Sequence, residues 1–134
     1  MDSQLARRRV EEARVARLGT VTPEGRPHLV PCCFVLTGDM AYTAVDAKPK
    51  STFDLRRVRN IIASGVVSLL VDHYEEDWSA LWWVRVDGVG RVVDASEEEA
   101  AARQALVAKY AQYRRLALPG PVIALDLEHW ASWP

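Results

Sequence analysis

The chain lacks most of the features that announce a chemistry. Its two cysteines, Cys32 and Cys33, are adjacent, which is neither a metal-ligand spacing nor a disulfide framework. No activating base stands near them in sequence, and a free cysteine is most often a small buried hydrophobe. That usage fits a reducing compartment, so a cytoplasmic location is expected. The three histidines, His28, His73 and His129, are far apart, so no ligand-spaced pair exists for a transition metal. His73 lies in the acidic run DHYEED, which lacks the spacing of a calcium loop, and no metal site is expected. There is no Gly-x-Ser-x-Gly elbow and no glycine-rich phosphate loop. Net charge is only −1, which argues against a broad nucleic-acid surface. No apolar run approaches the length of a membrane span. The N-terminal stretch MDSQLARRRVEEARVARLG is charged without an apolar h-region, so it does not read as a secretory signal.

What is present reads as one domain, residues 1–134. Of its residues 49% are hydrophobic and 26% charged, enough for one proper core. Residues 3 to about 13 predict a short helix capped by Asp2 or Ser3. Six strands follow from the periodicity: Val15 to Val21, Pro27 to Leu36, Met40 to Val45, Val66 to Val71, Leu81 to Val93, and Val122 to Leu127. Thr22-Pro23-Glu24-Gly25 is a turn, and so is Thr37-Gly38-Asp39. Pro31 cannot donate to a ladder, so its strand belongs at an edge or carries a bulge. Gly88 or Gly90 marks a bulge or bend in the longest strand. A second helix opens at Ser51, turns Leu55, Val58 and Ile62 to the core and Asn60 with the arginines away from it, and closes at Gly65. A third is capped at Ser96 and runs to about Tyr113. Strands joined by short turns, with helices outside them, predict a mainly β protein: an antiparallel barrel with peripheral helices.

The stretch from Tyr42 to Ile62 holds the densest chemistry. Lys48, Lys50, Arg56, Arg57 and Arg59 cluster around a predicted helix start. Lysines beside a helix N-terminus suit an anion, since the unpaired N–H groups and the dipole already favour negative charge. A solvated basic face is the competing reading of that run by itself. The tryptophans are the second signal. Trp82 and Trp83 are consecutive on one strand and point to opposite faces. One fills the barrel; the other meets solvent, a partner, a ligand or a covering helix.

Three blocks together are distinctive: Asp-x-Lys-Pro-Lys followed by Arg-Asn-Ile, then Asp-His-Tyr-x-x-Asp-Trp, then Trp-Trp-Val-Arg-Val-x-Gly. With Arg17 to Phe34 and the closing tryptophan strand, the chain resembles the pyridoxamine 5′-phosphate oxidase-like split-barrel superfamily. Within it, the chain resembles small actinobacterial-type enzymes thought to use the deazaflavin coenzyme F420. The resemblance implies a six-stranded split barrel and a homodimer with a cofactor in each of two clefts between subunits. It places the cofactor phosphate at Lys48 and Lys50, with Ser51 or Thr52 adding hydroxyls. The ring would lie along Val30, Pro31, Cys32, Thr43 and Ala44, and Trp83 and Arg85 of the second subunit would close the cleft. Trp78, Trp130 or Trp133 would wall the substrate side, and Arg56, Arg57 or Arg59 would meet the anionic tail. Flavin-using members carry more polar residues at the positions of Thr43 to Val45 and Trp83, which favours coenzyme F420 over flavin mononucleotide (FMN). The implied activity is hydride transfer between reduced coenzyme F420 and a small unsaturated or aromatic acceptor. An FMN enzyme of the same fold and a non-catalytic carrier are the alternatives. No catalytic residue is assigned; Tyr74, His73 or water are candidate proton sources.

Overall fold

A computed structural model of the chain describes residues 1–45, 55–94, 96–115, 118 and 120–134. Among these are three α-helices, α1 (Ser3–Glu12), α2 (Arg56–Ala63) and α3 (Glu97–Lys109). Seven strands accompany them: β1 (Ala16–Val21), β2 (Pro27–Cys32), β3 (Val35–Thr37), β4 (Met40–Ala44), β5 (Val66–His73), β6 (Trp82–Val93) and β7 (Val122–Trp133). The strands form a single antiparallel sheet in the order β2-β1-β5-β6-β7-β4-β3.

The strand count corrects the expectation of six. Pro27 to Leu36 is not one strand but two, broken at Cys33 and Phe34. The halves lie at opposite edges of the sheet. Laid flat, those edges would be about 29 Å apart, six spacings of about 4.8 Å. The chain from Cys32 to Val35 spans at most about 11 Å. The sheet must therefore curl until its edges nearly meet, giving an open half-barrel. Pro31 sits on the β2 edge, where its missing N–H costs no ladder bond.

Two apolar clusters hold the sheet. Leu18, Leu69, Val71, Val84, Val86, Ile123 and Leu125 fill the inside of the curl with Phe34, and α1 and α2 add Ala6, Val10, Val58 and Ile61. On the other face of β4 and β7, Tyr42, Ala44, Val122 and Ala124 pack beneath Ala102 and Leu106 of α3. Strand β7 is thus buried on both sides along Val122–Leu125, as its unbroken apolar run indicates. It extends past the expected end at Leu127 to Trp133, because it pairs with nearly the whole of β6. The ladder slips at Asp87/Gly88. A Cβ on Gly88 would lie 1.9 Å from the Asp126 carbonyl oxygen, so the bulge needs glycine there.

The helices differ in detail from the sequence reading. Asp2 caps α1 by accepting from Leu5 N–H at 2.8 Å, and Ser96 caps α3 by accepting from Glu99 N–H at 3.2 Å. Helix α3 stops at Lys109, and a 3-10 turn, Ala111–Arg114, carries Tyr113 instead. The expected helix start at Ser51 lies outside the described residues. On α2, Ile61 is buried and Ile62 is 71% exposed, reversing the expected choice. Asn60, expected to face away from the core, is also buried and donates to the Thr20 hydroxyl at 3.0 Å. The helix packs against both β1 and β6, so the face it buries is wider than the Leu55–Val58–Ile62 stripe.

Candidate functional site

The crossover from β2 to β3 builds one wall of a cavity. Pro31, Cys32 and Cys33 lie on one side, Thr43 and Ala44 of β4 on another, with Arg57 of α2, Tyr113 and Val15 completing the lining. The crossover is held from both directions. Thr43 Oγ1 donates to the Cys33 carbonyl at 2.7 Å. The Tyr110 hydroxyl accepts the Phe34 N–H at 3.0 Å and lies 3.0 Å from the Phe34 carbonyl and 3.1 Å from that of Arg14. Lys109 Nζ donates to the Phe34 carbonyl at 2.8 Å and lies 4.1 Å from the Phe34 ring centre.

The electrostatics of this cavity are those of a binding surface. Burial pushes the Cys32 thiol up to about 11, against the pull of its Thr43 hydrogen bond and of Arg57. At neutral pH it is a thiol, not a nucleophile. Burial, with the Arg14 charge added, brings the Lys109 amine down to about 8. The Nε of Arg57 is buried and meets no acceptor among the described residues. A buried donor without a partner is costly, and an anion in the cavity would relieve that cost. Among the described residues the lining contains no carboxylate and no imidazole. At about 170 Å³ it is smaller than the range of about 300–1,000 Å³ usual for small-molecule sites. A tricyclic ligand would need a further wall.

A second concavity of about 670 Å³ lies at the far end of β5, β6 and β7. Trp83 and Trp133 face each other across the β6–β7 ladder there, with Asp72 beside Trp83 on β5. Leu70, Leu81, Tyr74 and Arg85 complete its walls, and His73 and Trp82 reach its edge. Trp82 takes the inward direction: it packs on the inner core, with the Arg9 guanidinium 4.6 Å above its ring and His73 stacked at 6.0 Å.

The candidate residues therefore divide. Pro31, Cys32, Thr43 and Ala44 are brought to one cavity; Val30 is half-buried and not in its lining. Trp83 and Arg85 lie in the other concavity, so one chain does not unite them with the first group. Lys48, Lys50, Ser51 and Thr52 lie outside the described residues. Trp78 is 68% exposed, in a short 3-10 turn. Trp130 packs on the inner core, beneath the Arg7 guanidinium at 5.1 Å. Sequence reasoning left Arg57 undivided from Arg56 and Arg59, both exposed. Its signal was the helical position one residue before buried Val58. No local pattern marks Cys33 and Tyr113 as lining: the β2–β3 break brings Cys33 to the cavity and the 3-10 turn after α3 brings Tyr113. No group of three or more His, Cys, Asp or Glu suited to a metal occurs among the described residues. No helix among them is long and apolar enough to cross a membrane.

Comparison with known proteins gives the family. Residues 3–134 match the family described as pyridoxamine 5′-phosphate oxidase, and the chain belongs to it. No curated protein matches. Among solved structures, a heme-binding protein from Mycobacterium smegmatis superposes with a TM-score of 0.79 at 22% identity, over 96% of this chain. The chain spans about half of that protein, 52% of its length. A FAD-binding protein from Mesorhizobium loti superposes with a TM-score of 0.75 at 17% identity, over 98% of this chain and 94% of that one. A conserved hypothetical protein from Mycobacterium tuberculosis gives 0.78 at 19% identity, over 99% and 84%. At these identities the likeness shows the fold alone.

Proposed function

We propose that this member of the pyridoxamine 5′-phosphate oxidase family is an oxidoreductase that works with coenzyme F420 on a small unsaturated or aromatic acceptor. The observation that carries the reading is the cavity at the sheet edges, where Pro31, Cys32, Thr43 and Ala44 meet the buried Nε of Arg57, which has no partner among the described residues. A planar ring along β2 and β4 would find apolar contact there. Arg57 would donate to an anionic group of the same ligand, a charge-assisted bond of the stronger kind. Lys48, Lys50, Ser51 and Thr52, which precede α2 in the sequence, are the proposed phosphate ligands. Bound there, the deazaflavin would supply the hydride; the protein would supply orientation and exclude water. The cavity's small volume supports a homodimer in which a second copy brings Trp83 and Arg85 as the missing wall.

Titration of the purified protein with coenzyme F420 and with FMN tests this. Micromolar or tighter binding of coenzyme F420 is expected, with weaker binding of FMN. A protein that binds only FMN, or emerges yellow with a flavin spectrum, would shift the reading to a flavin enzyme. The second reading is a non-catalytic carrier of the cofactor, or of heme as in the mycobacterial neighbour. It is favoured by a lining that, among the described residues, holds no carboxylate and no imidazole. Tight binding without turnover across a panel of acceptors would select it.

A further inference from the structure

The cavity at the sheet edges holds both cysteines of the chain, and the functional reading uses the chemistry of neither thiol. Cys32 is the last residue of β2 and Cys33 the first beyond it. Along a continuing strand their side chains would point to opposite faces. Here the strand ends between them, and both line the same cavity. Thr43 braces the pair: it hydrogen-bonds the Cys32 thiol and donates to the Cys33 carbonyl at 2.7 Å.

The two sulfurs differ in their surroundings. Cys32 is buried, whereas Cys33 is half-buried and the more open of the two. Burial is the larger influence on Cys32, and the Arg57 and Lys109 charges oppose it. Lys109 in turn feels both cysteines. Among the described residues no carboxylate lines the cavity. A partly exposed thiol in electropositive surroundings is the usual setting of a reactive cysteine. The cavity, about 170 Å³, has room for an oxidant of a few atoms, since a water molecule occupies about 30 Å³. Such an oxidant needs far less room than the proposed coenzyme, so it reaches the pair whether or not a second copy closes the cleft.

We propose that Cys32 and Cys33 are an oxidation site: a small hydroperoxide bridges them as a disulfide, and the bridge weakens cofactor binding. The Cys33 sulfur gives up its proton and attacks one peroxide oxygen. An S–O bond forms, the O–O bond breaks, and water or an alcohol leaves with that proton. Sulfur loses two electrons and the peroxide gains them. The Cys32 sulfur then attacks the sulfenic sulfur. An S–S bond forms, the S–O bond breaks, and the hydroxide leaves as water with the Cys32 proton. Burial pushes Cys32 up to about 11, so at pH 7 about one molecule in ten thousand carries the thiolate. A well-oriented intramolecular partner offers an effective concentration of about 10⁵–10⁸ M, large enough to offset that deficit. Neighbouring Cα atoms stand about 3.8 Å apart, short of the usual disulfide range of about 4.4–6.8 Å. The bridge is therefore strained and easily reduced, as a switch requires. It also reshapes the wall on which the cofactor ring is proposed to lie; only this last consequence rests on the functional reading.

The test treats cofactor-free protein with one equivalent of hydrogen peroxide. The product is unfolded, alkylated with iodoacetamide and weighed by intact mass spectrometry. A loss of two hydrogens and no alkylation are expected, both reversed by dithiothreitol. Cys32→Ser should stop at a sulfenic acid on Cys33 that dimedone captures, and Cys33→Ser should leave Cys32 reduced. If a variant misfolds, the parent protein decides by itself. Two thiols still open to alkylation, a bridge between chains, direct passage of Cys33 to the sulfinic acid, or a bridge that forms only in urea would each overturn the proposal. The bridged protein should bind coenzyme F420 several-fold more weakly than the reduced one, and equal affinity would remove the control. A reduced protein that binds no coenzyme would refute the functional reading, and the control with it, while the bridge stands on the mass measurement.

Discussion

The side-chain amide of Asn60 donates to the hydroxyl of Thr20 at 3.0 Å, and both residues are 2% exposed. This bond ties α2 to β1 beneath the same helix that carries Arg57. A truncation at Asn60 would leave the Thr20 hydroxyl buried without its donor. Asn60→Ala should therefore cost about 1–3 kcal/mol in urea unfolding. The Asn60→Ala/Thr20→Val pair should cost less than the two single changes added together, because no orphan remains. Additive costs would show that the bond is not coupled to stability.

Arg57 connects stability to binding in the opposite sense. Its buried Nε has no acceptor among the described residues, so the cofactor-free protein carries that cost. Arg57→Met should leave the melting temperature of the cofactor-free protein unchanged or raised. The same variant should weaken cofactor binding by about 1.5–3 kcal/mol, one charge-assisted bond. Lys48→Ala combined with Lys50→Ala should weaken it further. Unchanged affinity in the lysine double variant would put the phosphate elsewhere.

Glu98, in the first turn of α3, joins the helix to the sheet. It accepts two bonds from Arg91 of β6, at 2.9 and 2.6 Å, and one from the Tyr42 hydroxyl of β4 at 2.8 Å. Arg91 first, and then Tyr42, hold its carboxyl below the ordinary value of 4.5. A depressed pKa stabilises the fold above the unfolded value, and that contribution is lost as pH falls through the folded one. Glu98→Gln should thus be less stable than the parent near neutral pH. The difference should shrink once pH drops below 4.5. A pH-independent difference in denaturant midpoints would contradict this.

Lys109 gives the complementary dependence. Its amine falls from 10.5 to about 8 on folding, chiefly through burial. Between those values the unfolded chain holds more protons than the folded one, so stability rises with pH across that window. The parent should gain on Lys109→Met as pH climbs from about 8 to about 10. Unfolding curves at both ends of the window would show it, and parallel pH profiles would refute it.

Gly88 marks the β6 bulge, where a Cβ would fall 1.9 Å from the Asp126 carbonyl oxygen. The obstacle is backbone in the longest ladder of the sheet, not a side chain that can swing aside. Gly88→Ala should cost about 3 kcal/mol or more, or prevent folding. A near-neutral melting temperature would mean that the β6–β7 ladder can shift its register.

Local patterns determined much of this protein by themselves. Alternation put Trp82 and Trp83 on opposite faces, Pro31 limited its strand to an edge or a bulge, and the first and third helices open at caps of the expected types, Asp2 and Ser96. These are short-range effects, written in neighbouring residues. The family was legible too, through motifs spread along most of the chain. Tertiary structure alone decided the rest. The break at Cys33 and Phe34 follows from two sheet edges brought together by curling, which no local pattern states. Burial of Asn60 and Ile61 in place of Ile62 follows from α2 meeting two strands at once. The cavity is assembled from β2, β4, α2 and the turn after α3, elements far apart in sequence. Arg57 Nε, its one uncommitted buried donor among the described residues, can be told from Arg56 and Arg59 only when the helix is docked. Charge is visible in a sequence; whether a charge already has a partner is a property of the packed fold.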